Sequence, residues 1–357
     1  METQRAISAA LVGRAFVHPL FDYALVGGGL SLLVTALVVL HPAAQSVGQM
    51  SPSGADGLAG LLPLAVLLAN GAHFAASTVR LYTKPGSFAA LPRLTRSLPL
   101  AMLGLVFLAL LFPGSLGRHL QALYLTWSPY HYAAQAYGIA VVYSHRSGCR
   151  LDPSHKRALR WVAMLPFLYV FAAGPGVGVD WLLPGLAARG ALMRGSVAAG
   201  LELLALVAPL VLFGLVWRSP SGPMPAIGLL ALLANGVWFF VLSPLDAFLY
   251  ATVFHGLQYL AIVIAFHVKE RASRPGDARG AVYHALHFYA LSLLLGYALF
   301  QCLPLGFVGL GFGVFESVLV VTAAINVHHF VVDAFIWRFG SGDSNRTIVD
   351  LRDPARA

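Results

Sequence analysis

The chain has 357 residues, 58% of them hydrophobic and only 10% charged. A soluble domain carries about a quarter charged residues, so a water-covered globule is excluded and lipid is the natural solvent. The net charge of +9 sits in short loops between apolar runs, where basic residues orient a membrane chain, which excludes nucleic acid as the partner it serves.

The first residues, with Arg5, Arg14, His18 and Asp22, lack the uninterrupted apolar core and small-residue cleavage site of a signal peptide, so none is expected. Ten apolar runs follow, at 20–40, 57–80, 97–113, 120–144, 158–174, 196–217, 225–243, 246–268, 282–303 and 316–338. Each is near the length of about 20 residues that a membrane helix needs. The seventh and eighth are separated by little more than Ser243-Pro244-Leu245, which predicts a tight helical hairpin. The glycine-rich stretch 304–315 fits a loop, a re-entrant segment or an extension of the last helix. The expected fold is all-α: a polytopic helical bundle of about ten transmembrane helices over 1–338, with a short cytoplasmic tail at 339–357.

With the N-terminus inside, twenty Lys and Arg fall on the inner side and three, Arg118, Arg189 and Arg194, on the outer side. That bias predicts both termini in the cytoplasm, and a bacterial inner membrane is the expected location. Membrane lipids are then its first partners. Cys149 and Cys302 fall at opposite faces, so no disulfide is expected, and with no Cys-x-x-Cys pair thiolate metal sites are excluded.

Thirteen histidines are present. His73, His131, His255, His328 and His329 lie well inside spans; His18, His284 and His287 lie near inner ends. Ionisable groups inside a bilayer are costly and turn toward a bundle interior with a partner. Counted from the basic inner ends at 1.5 Å per residue, most of these histidines lie about 10–22 Å deep. A local pattern repeats: His18–Asp22, His73–Ser77, His131–Gln135 and His329–Asp333 have spacing four, and His255–Gln258 has spacing three. Positions i and i+4 share a helix face, so Asp22, Ser77, Gln135, Gln258 and Asp333 are expected to orient the imidazoles. Asn70 and Asn326, one turn or less before their histidines, add to that polar face.

Imidazoles gathered in lipid point to a metal ion, which supplies the partner that hydrocarbon lacks. The expected ligands are His73, His131, His255 and His329, with His328 and His18 in reserve. Non-haem iron, mono- or dinuclear, suits dioxygen chemistry on a lipophilic small molecule. Phe74, Tyr130, Tyr132, Phe254, Tyr259 and Phe330 are expected to shape an apolar pocket.

Several spans each giving a histidine to a buried centre, with a His-x3-Asp box at His18–Asp22, resemble the bacterial membrane β-carotene dioxygenases of the bacteriorhodopsin-related type. The resemblance is one of architecture. It implies an all-helical fold, a four-histidine iron and cleavage of a carotenoid. The pairs His284/His287 and His328/His329 are similar in style to fragments of the histidine boxes in membrane desaturases and alkane hydroxylases, a likeness that implies an oxidoreductase using an electron donor. Two other classes stand beside the oxygenase or desaturase. One is a haem protein for electron transfer or quinone chemistry, with two histidines as axial ligands. The other is a transporter whose histidines relay protons.

Overall fold

The computed structural model of the chain describes residues 10–40, 64–84, 86–185, 190–272, 274, 277 and 279–337. The described residues are helical, without strands. The main helices are α1 (Gly29–Leu40), α2 (Ala72–Thr83), α3 (Leu98–Leu111), α4 (Arg118–Arg146), α5 (Pro153–Ala173), α6 (Ala191–Trp217), α7 (Ala226–Ala234), α8 (Pro244–Ala272), α9 (Ala281–Tyr297) and α10 (Val314–Ile336). Helices satisfy every backbone donor and acceptor within the segment, which an apolar chain in lipid requires.

Five stretches are long and apolar enough to cross a membrane: Arg93–Leu111, Met193–Trp217, Asp246–Ala272, Ala281–Gly309 and Val314–Ile336. A sixth arises if Pro19–Val26 and Gly29–Leu40, bent by 56°, count as one span. Burial separates two kinds of span. Leu203, Leu204, Val207, Leu210, Val211 and Leu215 on α6 are exposed, an apolar face that suits lipid. The apolar stretches of α8 and α10 are instead 61% and 67% buried.

Six of the ten expected spans thus have a counterpart; the other four are helical but shorter, broken or more polar. Of 57–80, the described part is a π-helical turn, Val66–Gly71, running into α2. The 29 residues of α4 carry Ser128, His131 and Gln135 and an internal Pro129, which lower its hydropathy. Lys156, Arg157 and Arg160 occupy the first turns of α5.

The run 225–243 is two pieces, α7 and Val237–Val241. Asn235 ends α7 and turns its Nδ2 onto Ala163 O at 2.9 Å. A Cβ on Gly236 would stand 2.5 Å from Pro166 Cγ, so only glycine lets the chain approach α5 there. The hairpin into α8 is short, as expected: Ser243 Oγ donates to Asp246 at 2.6 Å and Pro244 opens the helix. The first half of 304–315 extends α9, through a π-helical turn at Ala298–Cys302 and a helix at Leu303–Gly309, and Gly311 at φ +96° turns the chain into α10.

Backbone contacts divide the chain into two units, Met1–Leu62 with Thr126–Gln258, and Pro63–Leu125 with Tyr259–Ala357. In the first, α5 packs along α6 around Leu159, Ala163, Leu212 and Val216. In the second, α2 packs on α9 and α10, with Ala72, Ala76, Val263 and Phe288 in one core cluster. There α9 comes so close that a Cβ on Gly296 would lie 2.5 Å from Gly71 O. The tail 339–357 lies outside the described residues.

Candidate metal centre

Within the second unit, α2 and α10 bring His73 and His329 together. Both are fully buried, and their rings meet edge-on with centroids 4.6 Å apart. Small residues on α2, Ala72, Ala75 and Ala76, all at 0% exposure, let the two helices close on each other. Ser77 Oγ, one turn after His73, hydrogen-bonds His329 Nδ1 at 3.0 Å. Asp333, one turn after His329, places Oδ2 3.5 Å from His329 Nε2 and accepts the Tyr259 hydroxyl on Oδ1 at 2.7 Å. Phe74 and Phe330 flank the His329 ring at 5.0 and 5.9 Å.

Within the first unit, α4 and α8 bring His131 and His255 together, with centroids 5.0 Å apart. The Tyr132 ring lies 4.3 Å from that of His255 and its hydroxyl is hydrogen-bonded to Thr252 Oγ1 at 2.7 Å. Thr252 precedes His255 by three residues and so shares its helix face.

The four histidines form one buried group. One ring nitrogen from each lies within 4.8 Å of the others, so the group can hold a metal ion. Ligands about 2.1 Å from an ion stand roughly 3–4.2 Å from one another, a little inside the 4.8 Å that bounds this set. Four neutral imidazoles bring no net charge, so a bound cation would be neutralised by no ligand of the group itself. Asp333 and Tyr259 are the polar groups next in line behind His329.

The reserve ligands do not join the group. His18 is exposed, and its Nδ1 accepts from Leu20 N at 3.3 Å, capping the short helix Pro19–Phe21. His328 points about 100° away from His329 on the same helix and is half-buried. His284 pairs instead with Asp277, its Nε2 3.3 Å from the carboxylate.

Several expected imidazole partners do other work. Asp22 is fully buried and accepts backbone N–H groups of Phe16 and Val17 and the hydroxyl of Tyr143, so it ties down the segment before the first helix. Gln135 donates to Gln258 at 2.7 Å, and Gln258 donates to Val26 O at 2.7 Å. Asn326 donates to Thr322 O, one turn back on its own helix. Asn70 is half-buried, and its Oδ1 has no hydrogen-bond partner among the described residues. Ser77 serves His329 across the helix pair instead of His73, its neighbour in sequence. Tyr130 packs on Phe167 and Phe254 on Trp238.

Tyr259, Thr252 and Tyr132 as hydrogen-bonding groups were not singled out by the sequence pattern. Thr252, at spacing three before His255, was the one signal available. Both cysteines are free. Compared with protein-family models, curated proteins and solved structures, the chain matches none.

Proposed function

We propose that the chain is an integral membrane metalloenzyme in which His73, His131, His255 and His329 hold one iron ion that works with dioxygen on a lipophilic substrate. The observation that carries this reading is the convergence of four buried imidazole nitrogens within 4.8 Å. Imidazole suits iron, zinc, copper and nickel. A structural zinc gives no reason for placement among apolar helices, whereas iron with open positions beside four imidazoles supports oxygen chemistry. A single ion fits better than two, because the group is compact and His328 stands outside it.

The same spacing speaks against haem. Axial nitrogens of a haem stand about 4 Å apart with the macrocycle between them. Two further nitrogens within 4.8 Å of both would occupy the macrocycle's own plane.

A lipophilic substrate suits the exposed leucines of α3 and α6, since a molecule dissolved in lipid would reach the chain without crossing water. A desaturase or mono-oxygenase reaction would in addition draw electrons from a separate donor, whereas a dioxygenase reaction needs none. The excess of Lys and Arg on one side of the apolar runs supports a cytoplasmic N-terminus, and a bacterial inner membrane is the location proposed with it.

Elemental analysis and an absorption spectrum of the purified protein test the proposal. About one iron per chain without a Soret band is the expected result. A Soret band, or protein free of metal that still catalyses uptake into vesicles, would overturn it in favour of a haem protein or a transporter.

A further inference from the structure

Tyr259 is 2% exposed on α8, in a stretch long and apolar enough to span a membrane. Its hydroxyl donates to Asp333 Oδ1 at 2.7 Å and receives the Trp337 indole N–H at 3.3 Å. Its ring stands edge-on to His73 at 5.2 Å, to His329 at 5.4 Å and to Trp337 at 6.0 Å. A phenylalanine would fill the same space. The hydroxyl adds a phenol–carboxylate pair to an apolar interior, where polar groups are costly, and it does so against two of the four clustered imidazoles.

A phenol gives up an electron readily only if its proton leaves at the same time, since the cation radical is a very strong acid. The Asp333 carboxylate at 2.7 Å is placed to take that proton. The indole N–H then remains to stabilise the neutral phenoxyl oxygen. Arg80 lies over the Trp337 ring at 5.1 Å and over Phe266 at 5.8 Å. A guanidinium on an indole face opposes positive charge there, the converse of its attraction to the neutral ring. An electron vacancy formed on Tyr259 would therefore not pass on to Trp337.

We propose that Tyr259 is a redox-active tyrosine that supplies one electron to the four-histidine centre, its proton passing to Asp333. This rests on the reading of that centre as an iron site. With hydrogen peroxide as oxidant the step balances. Peroxide takes two electrons and two solvent protons to become two waters. Ferrous iron gives one electron and becomes ferric. Tyr259 gives the other, its O–H bond breaks, and the proton ends on Asp333 Oδ1. A small one-electron reductant such as ascorbate restores the phenol, which recovers its proton.

The test is anaerobic mixing of the ferrous protein with peroxide, freezing, and electron paramagnetic resonance. The expected result is a neutral tyrosyl signal that narrows when ring-deuterated tyrosine is incorporated. Y259F abolishes it while iron content is kept. D333N cuts its yield several-fold. W337F, which removes a donor to the oxygen and leaves Asp333 in place, shifts the largest g value upward, and this variant carries the test if Y259F does not fold. A signal unchanged in Y259F or W337F, one lost in Y143F instead, or no radical in protein that holds iron would overturn the assignment. Wild-type protein that holds no iron would overturn the four-histidine reading itself, and this one with it.

Discussion

Ser77 and His329 lie 252 positions apart in the chain and are joined by a 3.0 Å hydrogen bond at Nδ1 of the imidazole. The serine sits one turn from another clustered histidine, His73, yet orients its partner on the neighbouring helix. Groups that hold the second ring nitrogen of a ligand typically contribute 10–100-fold in metal affinity. S77A is expected to weaken iron binding by about that factor and S77T to keep it, as read from competition with a coloured chelator.

Alanine at any of His73, His131, His255 or His329 is expected to deplete the metal. H18A and H328A should leave it at the wild-type level, since neither residue belongs to the group. Elemental analysis of the six variants checks this. Full metal retention in both H131A and H255A would remove the proposed ligand set.

Gly296 and Gly71 set the distance between α9 and the turn before α2. A methyl at Gly296 would sit 2.5 Å from Gly71 O, backbone that has nowhere to go, whereas one at Gly71 would meet only Leu67 Cδ1 at 4.0 Å. G296A is expected to cost about 1–3 kcal/mol, the usual cost of overpacking, and G71A much less. Thermal unfolding in detergent gives the comparison.

Asp152 caps α5. Its carboxylate is held below the usual carboxylate range by the Ser154 hydroxyl, then by the His155 N–H and ring. A depressed folded value means that the cap stabilises the protein above the unfolded pKa and loses that effect as pH falls through the folded one. D152A should therefore melt lower than wild type at pH 7, and the gap should close in strongly acidic buffer. A gap that does not change with pH would show that the carboxylate charge is not what caps the helix.

The histidine group could be read from the sequence because imidazole in an apolar run is rare and costly, so each such residue announces a polar meeting point. Its surroundings are less legible. Spacing along one helix assigns each histidine its own i+4 partner, and that held for His329 with Asp333. It failed where a second helix supplied a better geometry, as with Ser77, or where two amides satisfied each other, as with Gln135 and Gln258. At Asp22 the competing claim was backbone N–H groups of Phe16 and Val17. Tyr259 looks like packing in sequence, and its hydroxyl gains meaning only once α8 and α10 are side by side. Among the spans, 225–243 has the length of one helix, but Asn235-Gly236 interrupts it by bonding and packing against α5, contacts no hydropathy profile contains.

The turn Val66–Gly71 is π-helical and leads straight into α2, two residues before His73. A π turn holds one residue more than the α turn it replaces. Removing a single residue from it would restore an α-helical ladder there, while α2 could stay docked and His73 in place. This junction can therefore absorb a one-residue deletion that in the middle of α2 would carry the imidazole off its face: the histidine's aim is insulated from changes in chain length upstream.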